Sequence, residues 1–286
     1  MTEPPDGTFD EVRTVRLANL TVRLRRSGAG DPILLLHGFP HTGQVWREVA
    51  PWLVRAGHQV IAPDLRGIGG TDRPVDGYDA ATLALDQVQL LDALALPAAH
   101  VVGFDAGAAP AFALATGHPE RVRSLTVVEA AIGGLAGAED FLAGGGPWWF
   151  GFHQSPGGLA EDVVAGSEDR YIRHFLQLGS RAGVPGELAD HFVSAYTGRD
   201  RLRGAFEHYR AMPGNAARNR AWAAQNRLTM PVTAVGAAPV GAVTARQLRT
   251  VADDVEEHLL GDSGHIVPVD APRDLARLLL ATAARS

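Results

Sequence analysis

The segment VVGFDAGAA, residues 101–109, places an aspartate between two glycines directly after a short apolar run. A tight turn from a strand into a helix needs small flanking residues, and Gly103 and Gly107 supply them. This is the spacing of a nucleophile elbow, with Asp105 where a serine is more usual. The free N–H groups at the start of the following helix would favour the ionised carboxylate. Asp105 is therefore a candidate nucleophile, although an aspartate at this point can also serve only as a helix N-cap.

Two further segments could complete a catalytic site around Asp105. HGFP, residues 37–40, follows an apolar run, so we expect the N–H groups of Phe39 and Ala106 to form an oxyanion hole. GDSGHIVP, residues 261–268, places His265 on a late loop, where we expect a general base. The order of oxyanion loop, elbow and histidine along the chain favours a catalytic site over three unrelated turns.

The elements that must position these residues follow from the hydrophobic pattern. Short apolar runs alternate with helical patterns, which predicts a parallel sheet covered by helices. A hairpin is predicted over 12–26, strands over 33–36, 60–63, 100–104, 124–129, 230–237 and 255–260, and helices over 44–56, 80–95, 107–117, 244–252 and 271–284. Residues 134–226 show helical spacing and no strand pattern. We therefore predict a core of residues 1–133 and 227–286 with an inserted helical cap over 134–226.

These motifs together resemble the α/β-hydrolase fold superfamily, in particular its epoxide hydrolase and haloalkane dehalogenase branch, and are closest to epoxide hydrolases. The resemblance spans nearly the whole chain and is carried by HGFPHTGQVWREVAPWL, APDLRGIGGTDRP, GFDAGA, MPVTAVGA and GDSGHIVP. It implies a mostly parallel eight-stranded sheet flanked by helices, with the site at the carboxyl ends of the strands. It also implies that Asp105 is the nucleophile.

A carboxylate nucleophile suits a reaction at saturated carbon. Its attack on an epoxide opens the ring and leaves an alkyl ester on Asp105. Water that His265 deprotonates would then attack the ester carbonyl, and the oxyanion hole would accept the developing charge. The sequence thus predicts an epoxide hydrolase with a covalent intermediate. The glycine- and aromatic-rich start of the cap favours a bulky substrate, such as a secondary-metabolite epoxide.

The resemblance also implies two cap tyrosines that protonate the leaving epoxide oxygen. Tyr209, in EHYRAMP, is similar to the second of them. Phe152 stands where the first is expected, so we predict that Trp149 contacts the substrate instead, through its indole N–H. His153 is expected to be structural or exposed.

The acid that should orient His265 is absent from its usual place. In most of the resembling family it follows the strand matched here by MPVTAVGA, but this chain continues AAPVGAVTA without an acid. Some haloalkane dehalogenases carry it after the preceding strand, where this chain has Glu129. A carboxylate at the end of a buried strand is costly unless it is paired. We therefore predict Glu129 as the relay acid and Asp262 as a turn residue.

Two other functions stay open at this point. A haloalkane-type dehalogenase would share the nucleophile, but Ala106 replaces the halide-binding tryptophan of those enzymes. Ala106 and Ala109 replace the arginines of fluoroacetate dehalogenases. A non-hydrolytic binder or cyclase would explain the missing acid, whereas the retained Asp105 and His265 argue against it. Ester hydrolysis is disfavoured because the elbow carries no serine.

Composition excludes several classes of chemistry and partner. The 286 residues include 32 acids, 26 bases that are all arginine, and no cysteine. Schiff-base and thiolate chemistry are therefore excluded, and a cytoplasmic location is expected. The scattered arginines and the net charge of -6 argue against nucleic acid, and no apolar run is long enough for a membrane span. We predict a small-molecule substrate, no metal and no organic cofactor, because the histidines are dispersed and no GxGxxG follows a strand. A homodimer is left open.

Overall fold

The computed structural model describes residues 9–143 and 146–285 and is built on one eight-stranded sheet. Its strands are β1 (Glu11–Arg16), β2 (Thr21–Ser27), β3 (Asp31–Leu36), β4 (His58–Pro63), β5 (Ala99–Phe104), β6 (Val122–Val128), β7 (Val232–Ala237) and β8 (Val255–Leu260). Their order across the sheet is β1-β2-β4-β3-β5-β6-β7-β8. The β1–β2 and β2–β4 pairs are antiparallel and the other pairs are parallel. The predicted opening hairpin and mostly parallel sheet are confirmed.

The central strands are buried on both faces, which explains why they read as continuous apolar runs. Every residue of β5 and β7 is buried, and in β3 only Asp31 is exposed. A parallel sheet covered by helices on both sides has no solvated face and so no alternating pattern. The edge strand β1 reads EVRTVR and is largely exposed, as expected where charges protect an open edge.

Helices connect and cover the strands. In chain order they are α1 (Ala50–Arg55), α2 (Ala80–Ala93), α3 (Ala108–Gly117), α4 (Glu139–Leu142), α5 (Trp148–His153), α6 (Leu159–Val164), α7 (Glu168–Gly179), α8 (Gly186–Tyr196), α9 (Arg199–Arg210), α10 (Met212–Ala223), α11 (Val243–Arg249), α12 (Val267–Asp270) and α13 (Pro272–Ala283). Between β6 and β7 the described part of the chain forms α4 to α10 and no strand. The domain boundaries at 133 and 227 stay predictions.

Proline sets two element boundaries that differ from the sequence expectation. The single helix predicted over 44–56 is a 3-10 turn, Gly43–Trp46, followed by α1 from Ala50. Pro51 lies in the first turn of α1, where its missing N–H is tolerated, and it could not occupy the interior of one longer helix. Strand β7 begins at Val232 rather than at residue 230, directly after Pro231.

Candidate active site

Asp105 lies at the turn between β5 and α3 and adopts a left-handed backbone conformation, with φ of 51°. A Cβ atom on Gly107 would collide with the carbonyl oxygen of Leu36, and one on Gly103 would lie 2.7 Å from Cα of Ala108. The two glycines therefore allow β3 and α3 to approach the turn closely. Positive φ at a residue other than glycine is strained and is concentrated at functional sites.

The carboxylate of Asp105 has a different partner for each oxygen. The N–H of Phe39 donates to Oδ1 at 2.8 Å, and Nε2 of His265 lies 3.2 Å from Oδ2. Burial alone would raise the pKa of Asp105, but the hydrogen bond and charge of His265 outweigh it, and the N–H groups of Ala106 and Phe39 add to them. The net effect lowers the pKa, so Asp105 is ionised at neutral pH. Both predicted oxyanion-hole donors thus act on this carboxylate.

Gly38 is a requirement that the sequence reasoning missed. A Cβ atom at this position would collide with Oδ1 of Asp105. The residue before the oxyanion donor must therefore be glycine if the carboxylate is to reach the N–H of Phe39. The HGFP motif contains this signal, because its glycine directly precedes the donor.

Sheet register brings Glu129 beside the elbow. Phe104, the last residue of β5, pairs with Val128, the last residue of β6, so Asp105 and Glu129 leave neighbouring strands at the same level. Both residues have positive φ, 51° and 46°. The two carboxylates therefore leave the same edge of the sheet, where the loop that follows β8 delivers His265.

Glu129 is almost fully buried and contacts the other nitrogen of His265. Its Oε2 lies 3.1 Å from Nδ1 of His265. Its Oε1 accepts hydrogen bonds from the N–H groups of Ala237, the last residue of β7, and of Val240, which follows that strand. The buried carboxylate is therefore fully paired, and an acid on the neighbouring strand reaches the histidine in place of the missing one.

His265 lies between these two carboxylates. Burial would lower its pKa, but hydrogen bonds and charges from Asp105 and Glu129 outweigh burial and raise the pKa to about 10. The resting site therefore holds an imidazolium between two carboxylates at neutral pH. Its proton affinity depends directly on the charge of Asp105.

The two cap residues predicted from the sequence both line the cavity above Asp105. Tyr209 is buried near the end of α9, and among the described residues its hydroxyl has no hydrogen-bond partner. Burial and the nearby charge of Asp105 raise its pKa well above the usual value, so the phenol stays protonated. Trp149, on α5, packs edge-on against Phe175 with ring centroids 5.3 Å apart. Both side chains come from helices between β6 and β7 and border the cavity that Asp105 also lines.

His153 is fully buried, which agrees with the structural alternative of the two that the sequence left open and not with the exposed one. Its ring stacks on Phe206 at 4.1 Å and meets Tyr209 edge-on at 4.4 Å. Its Nε2 is 2.6 Å from the hydroxyl of Tyr171, and burial lowers its pKa to about 3. Among the described residues Nδ1 has no partner. The neutral imidazole therefore supports Tyr209 from behind the cavity wall, a tertiary contact that the sequence pattern does not reveal.

Phe152 occupies the place where a first tyrosine is expected, and its ring packs beside Tyr171. It does not contribute to the cavity lining, whereas Trp149 does. The first donor of the usual pair is therefore missing both from the sequence and from the cavity wall at this position.

A hydroxyl from α8 holds the loop whose Phe39 N–H donates to Asp105. The hydroxyl of Tyr196 donates to the carbonyl of His41 at 2.7 Å in a buried hydrogen bond. The ring of Phe39 packs edge-on against Tyr196 and Tyr209, with centroids 5.4 and 5.7 Å apart. The helices above the sheet therefore help to fix the N–H that contacts Asp105.

The cavity above the carboxylate has a volume of about 660 Å³ and mostly apolar walls. Among the described residues its acidic lining groups are Asp105 and Glu129, its protonated one is His265, and no arginine lines it. His41 and His208 also reach it, but burial lowers their pKa values to about 3 and about 4, so both are neutral. The space suits a sizeable neutral molecule.

Within residues 9–143 and 146–285, no three histidine or acidic side chains are grouped so that they could hold a metal ion. No helix in the same part of the chain has the length and apolar character needed to cross a membrane.

Comparison with known proteins identifies the family. Residues 31–279 match the model of the alpha/beta hydrolase fold family, so the chain belongs to this family and is a hydrolase. It is 29% identical to the soluble epoxide hydrolase of Corynebacterium sp. (strain C12) over 264 residues, which cover 86% of this chain and 88% of that enzyme. It is 30% identical to a fluoroacetate dehalogenase of Burkholderia sp. over 210 residues, which cover 70% and 69%.

Solved structures agree with this assignment. The crystal structure of wild-type Cfl2 from Burkholderia cenocepacia superposes with a TM-score of 0.87 at 31% identity, covering 98% of this chain and 97% of that one. The fold and the resemblance to the branch that contains epoxide hydrolases and dehalogenases are therefore confirmed.

Proposed function

We propose that the protein hydrolyses epoxides to vicinal diols through a covalent ester on Asp105. One observation carries the proposal: Oδ1 of Asp105 accepts from the N–H of Phe39 at 2.8 Å, while Oδ2 lies 3.2 Å from His265. A helix N-cap would need no such arrangement. With Oδ1 held by backbone donors, Oδ2 can bond to carbon, and the carbonyl of the resulting ester already lies in an oxyanion hole.

In the first half-reaction Oδ2 of Asp105 attacks one epoxide carbon, and the bond from that carbon to the ring oxygen breaks. The ring oxygen takes the hydroxyl proton of Tyr209 and becomes an alcohol. The unpaired hydroxyl of Tyr209 and its place in the cavity wall support this role, and the raised pKa keeps the phenol protonated until the transfer. The products of this step are an ester, a tyrosinate and the imidazolium of His265.

Alkylation removes the negative charge of Asp105, which is a main cause of the high pKa of His265. The imidazolium then loses its proton, and the net transfer restores the phenol of Tyr209. Neutral His265 can now accept a proton from water through Nε2 while Glu129 stays on Nδ1. The first half-reaction thereby converts His265 from a counter-ion into a general base.

In the second half-reaction that water attacks the ester carbonyl. The charge on the carbonyl oxygen develops where Phe39 and Ala106 present their N–H groups. Collapse of the intermediate expels the diol oxygen, which takes the proton of the new carboxyl group. Asp105 is regenerated with one oxygen from water, and His265 is again protonated.

A second donor to the epoxide oxygen is supplied by Trp149 or by His153. Trp149 lines the cavity, which supports its indole N–H. His153 contacts Tyr209 and has an unpartnered Nδ1, which supports an imidazole donor. We assign the role to Trp149 because it is the one of the two that borders the cavity.

A dehalogenase is the second candidate, and the 30% identical fluoroacetate dehalogenase favours it. A halocarboxylate needs cations at its carboxylate, but the described lining contains no arginine, and both Ala106 and Ala109 are part of it. Neutral haloalkanes are the remaining dehalogenase substrates. A non-hydrolytic binder or cyclase loses its main support, because Glu129 contacts His265.

The volume of the cavity supports a bulky epoxide, in keeping with a secondary-metabolite substrate. The cysteine-free composition is compatible with the expected cytoplasmic location. The homodimer left open above stays untested.

The experiment is to incubate the purified protein with bulky neutral epoxides and with haloalkanes of matched carbon skeleton. Diol formation is measured by mass spectrometry and halide release by ion chromatography. We expect diols from the epoxides, and halide release from the haloalkanes at a rate at least ten times lower. Asp105→Asn should form neither product. Halide release without diol would replace the proposal by the dehalogenase.

A further inference from the structure

Two primary amides lie on one face of α10, and neither is among the residues assigned to the reaction. Asn215 and Asn219 are four residues apart, so their side chains neighbour each other, about 6 Å apart along the helix axis. Both are buried and both line the cavity. Buried amides in a largely apolar wall are costly unless their hydrogen-bonding groups are used.

Each amide uses only one of its two polar atoms in a hydrogen bond within the protein. Oδ1 of Asn215 accepts from the N–H of Ala80 at 2.9 Å, and Nδ2 of Asn219 donates to the carbonyl of Gly133 at 2.9 Å. These backbone partners also fix which atom is nitrogen and which is oxygen. Among the described residues, Nδ2 of Asn215 and Oδ1 of Asn219 have no partner.

The unused atoms are one donor and one acceptor, on side chains one helical turn apart. Neither is among the fully enclosed atoms without a partner in the described residues, and both side chains border the cavity. The neighbouring lining groups, Ala80, Ile132 and Ala216, are apolar, and no ionised side chain lies among them. Asp79 and Arg218, charged neighbours along the chain, pair with each other and do not border the cavity, whereas a neutral oxygen could use both amides.

We propose that Asn215 and Asn219 form a subsite for a hydroxyl group carried by a neutral epoxide substrate, remote from the epoxide ring. The hydroxyl oxygen accepts from Nδ2 of Asn215, and its hydrogen is donated to Oδ1 of Asn219. The proposal rests on the proposed epoxide hydrolysis for the chemistry of the other end of the substrate. It goes beyond that function by naming a substrate hydroxyl as the group that the two amides select.

The test uses terminal epoxides of increasing chain length in isosteric pairs. In one pair a remote hydroxyl replaces a methyl group, and in the other a remote methoxy group replaces an ethyl group. We expect the hydroxyl to raise kcat/KM about tenfold over methyl at one preferred chain length, because two hydrogen bonds form. The methoxy group can only accept, so we expect a gain of about threefold to fivefold from Asn215 alone.

One variant changes the free Nδ2 atom of Asn215 and keeps the oxygen that bonds the N–H of Ala80. Asn215→Asp keeps an oxygen that accepts from Ala80, but it replaces the free donor by an acceptor. We expect the methoxy preference over ethyl to disappear or invert in this variant. The control is Asn226→Asp, three residues beyond the end of α10, which changes an exposed amide that among the described residues bonds only the carbonyl of Trp222 and should keep the wild-type ratio.

Failure of the subsite and failure of the proposed function give different results. Turnover of both members of each pair at equal kcat/KM at every chain length would overturn the subsite and leave epoxide hydrolysis standing. If no epoxide is turned over, affinities for the same pairs are measured by calorimetry with Asp105→Asn. Tighter binding of the hydroxyl and methoxy compounds would then support the subsite, and equal binding would refute it. The kcat/KM or affinity ratios within each pair, measured with Asn215 intact, decide the question even if Asn215→Asp does not fold.

Discussion

Oε2 of Glu129 lies 3.1 Å from Nδ1 of His265, although the strand that usually supplies this acid is β7. The side chain reaches across from the end of β6, and its other oxygen binds the backbone at the end of β7. Glu129 therefore contacts the histidine from the end of β6, which is the arrangement that the proposed relay role requires.

Replacing Glu129 by glutamine should stall the second half-reaction. The amide keeps the shape of the side chain but removes the charge that stabilises the imidazolium, so we expect ester hydrolysis to slow by about 10² to 10⁴-fold. The alkylated protein should then accumulate and be visible as a mass increase equal to the substrate. Asp262→Asn, on the exposed loop before His265, is the matched control and should show no accumulation. Normal turnover by Glu129→Gln would mean that another acid serves His265.

The pH dependence of stability should report the imidazolium. The pKa of His265 is about 10 in the folded protein and about 6.5 when unfolded. Because the folded pKa is the higher one, this contribution is complete below about pH 6.5 and is lost as the pH rises towards 10. In that window the native state binds the extra proton, so the free energy of unfolding should fall by up to about 1.4 kcal/mol per pH unit.

The composition makes this measurement selective, because the chain has no lysine or cysteine and only four tyrosines. Urea unfolding between about pH 7 and 9.5 compares the unsubstituted protein with His265→Gln, which should give the flatter dependence. Parallel curves would show that His265 is not held as an imidazolium.

The cap donors can be ranked by pre-steady-state alkylation rates. Tyr209→Phe removes one hydroxyl and should slow alkylation by about 10²-fold, since a positioned general acid contributes at least that much. Trp149→Phe should slow it by about tenfold, and the exposed Trp148→Phe should have no effect. A larger effect of His153→Phe on alkylation than of Trp149→Phe, at unchanged thermal stability, would transfer the second role to His153.

Tyr196→Phe should weaken the oxyanion loop. The change removes the buried hydrogen bond to the carbonyl of His41 and should cost about 1 to 2 kcal/mol of unfolding free energy. It should also slow ester hydrolysis, because the N–H of Phe39 is less firmly placed. Measuring both quantities separates this outcome from loss of stability alone, which would leave the hydrolysis rate unchanged. Thr197→Val, which removes an exposed hydroxyl on the next residue, is the control.

The sequence predicted the parts of the site that depend on local patterns. Asp105 and His265 follow from short motifs, because a strained turn and a loop after a strand each leave a signature of glycines. Glu129 was predicted from the place of the acid in some haloalkane dehalogenases, together with the physical cost of an unpaired buried carboxylate. These residues and the oxyanion donor Phe39 come together as expected.

Other features could not be found this way, because they depend on contacts between distant segments. His153 contacts Tyr209 from 56 positions earlier in the chain, and nothing in its local pattern separates it from a surface histidine. The amides of Asn215 and Asn219 read as ordinary helix residues until their partners on Ala80 and Gly133 are known. The hydrophobic pattern over 44–56 is helical throughout, and only Pro51, which must lie in the first turn of a helix, indicates the break after Trp46.

The most direct test of the account is a single turnover in oxygen-18 water, with excess protein over epoxide. The peptide that contains Asp105 is then isolated and weighed by mass spectrometry. Covalent catalysis predicts one heavy oxygen in the Asp105 carboxylate and none in the diol after the first turnover. Heavy oxygen in the diol with an unlabelled Asp105 would show that water attacks the epoxide directly, and it would contradict the central claim.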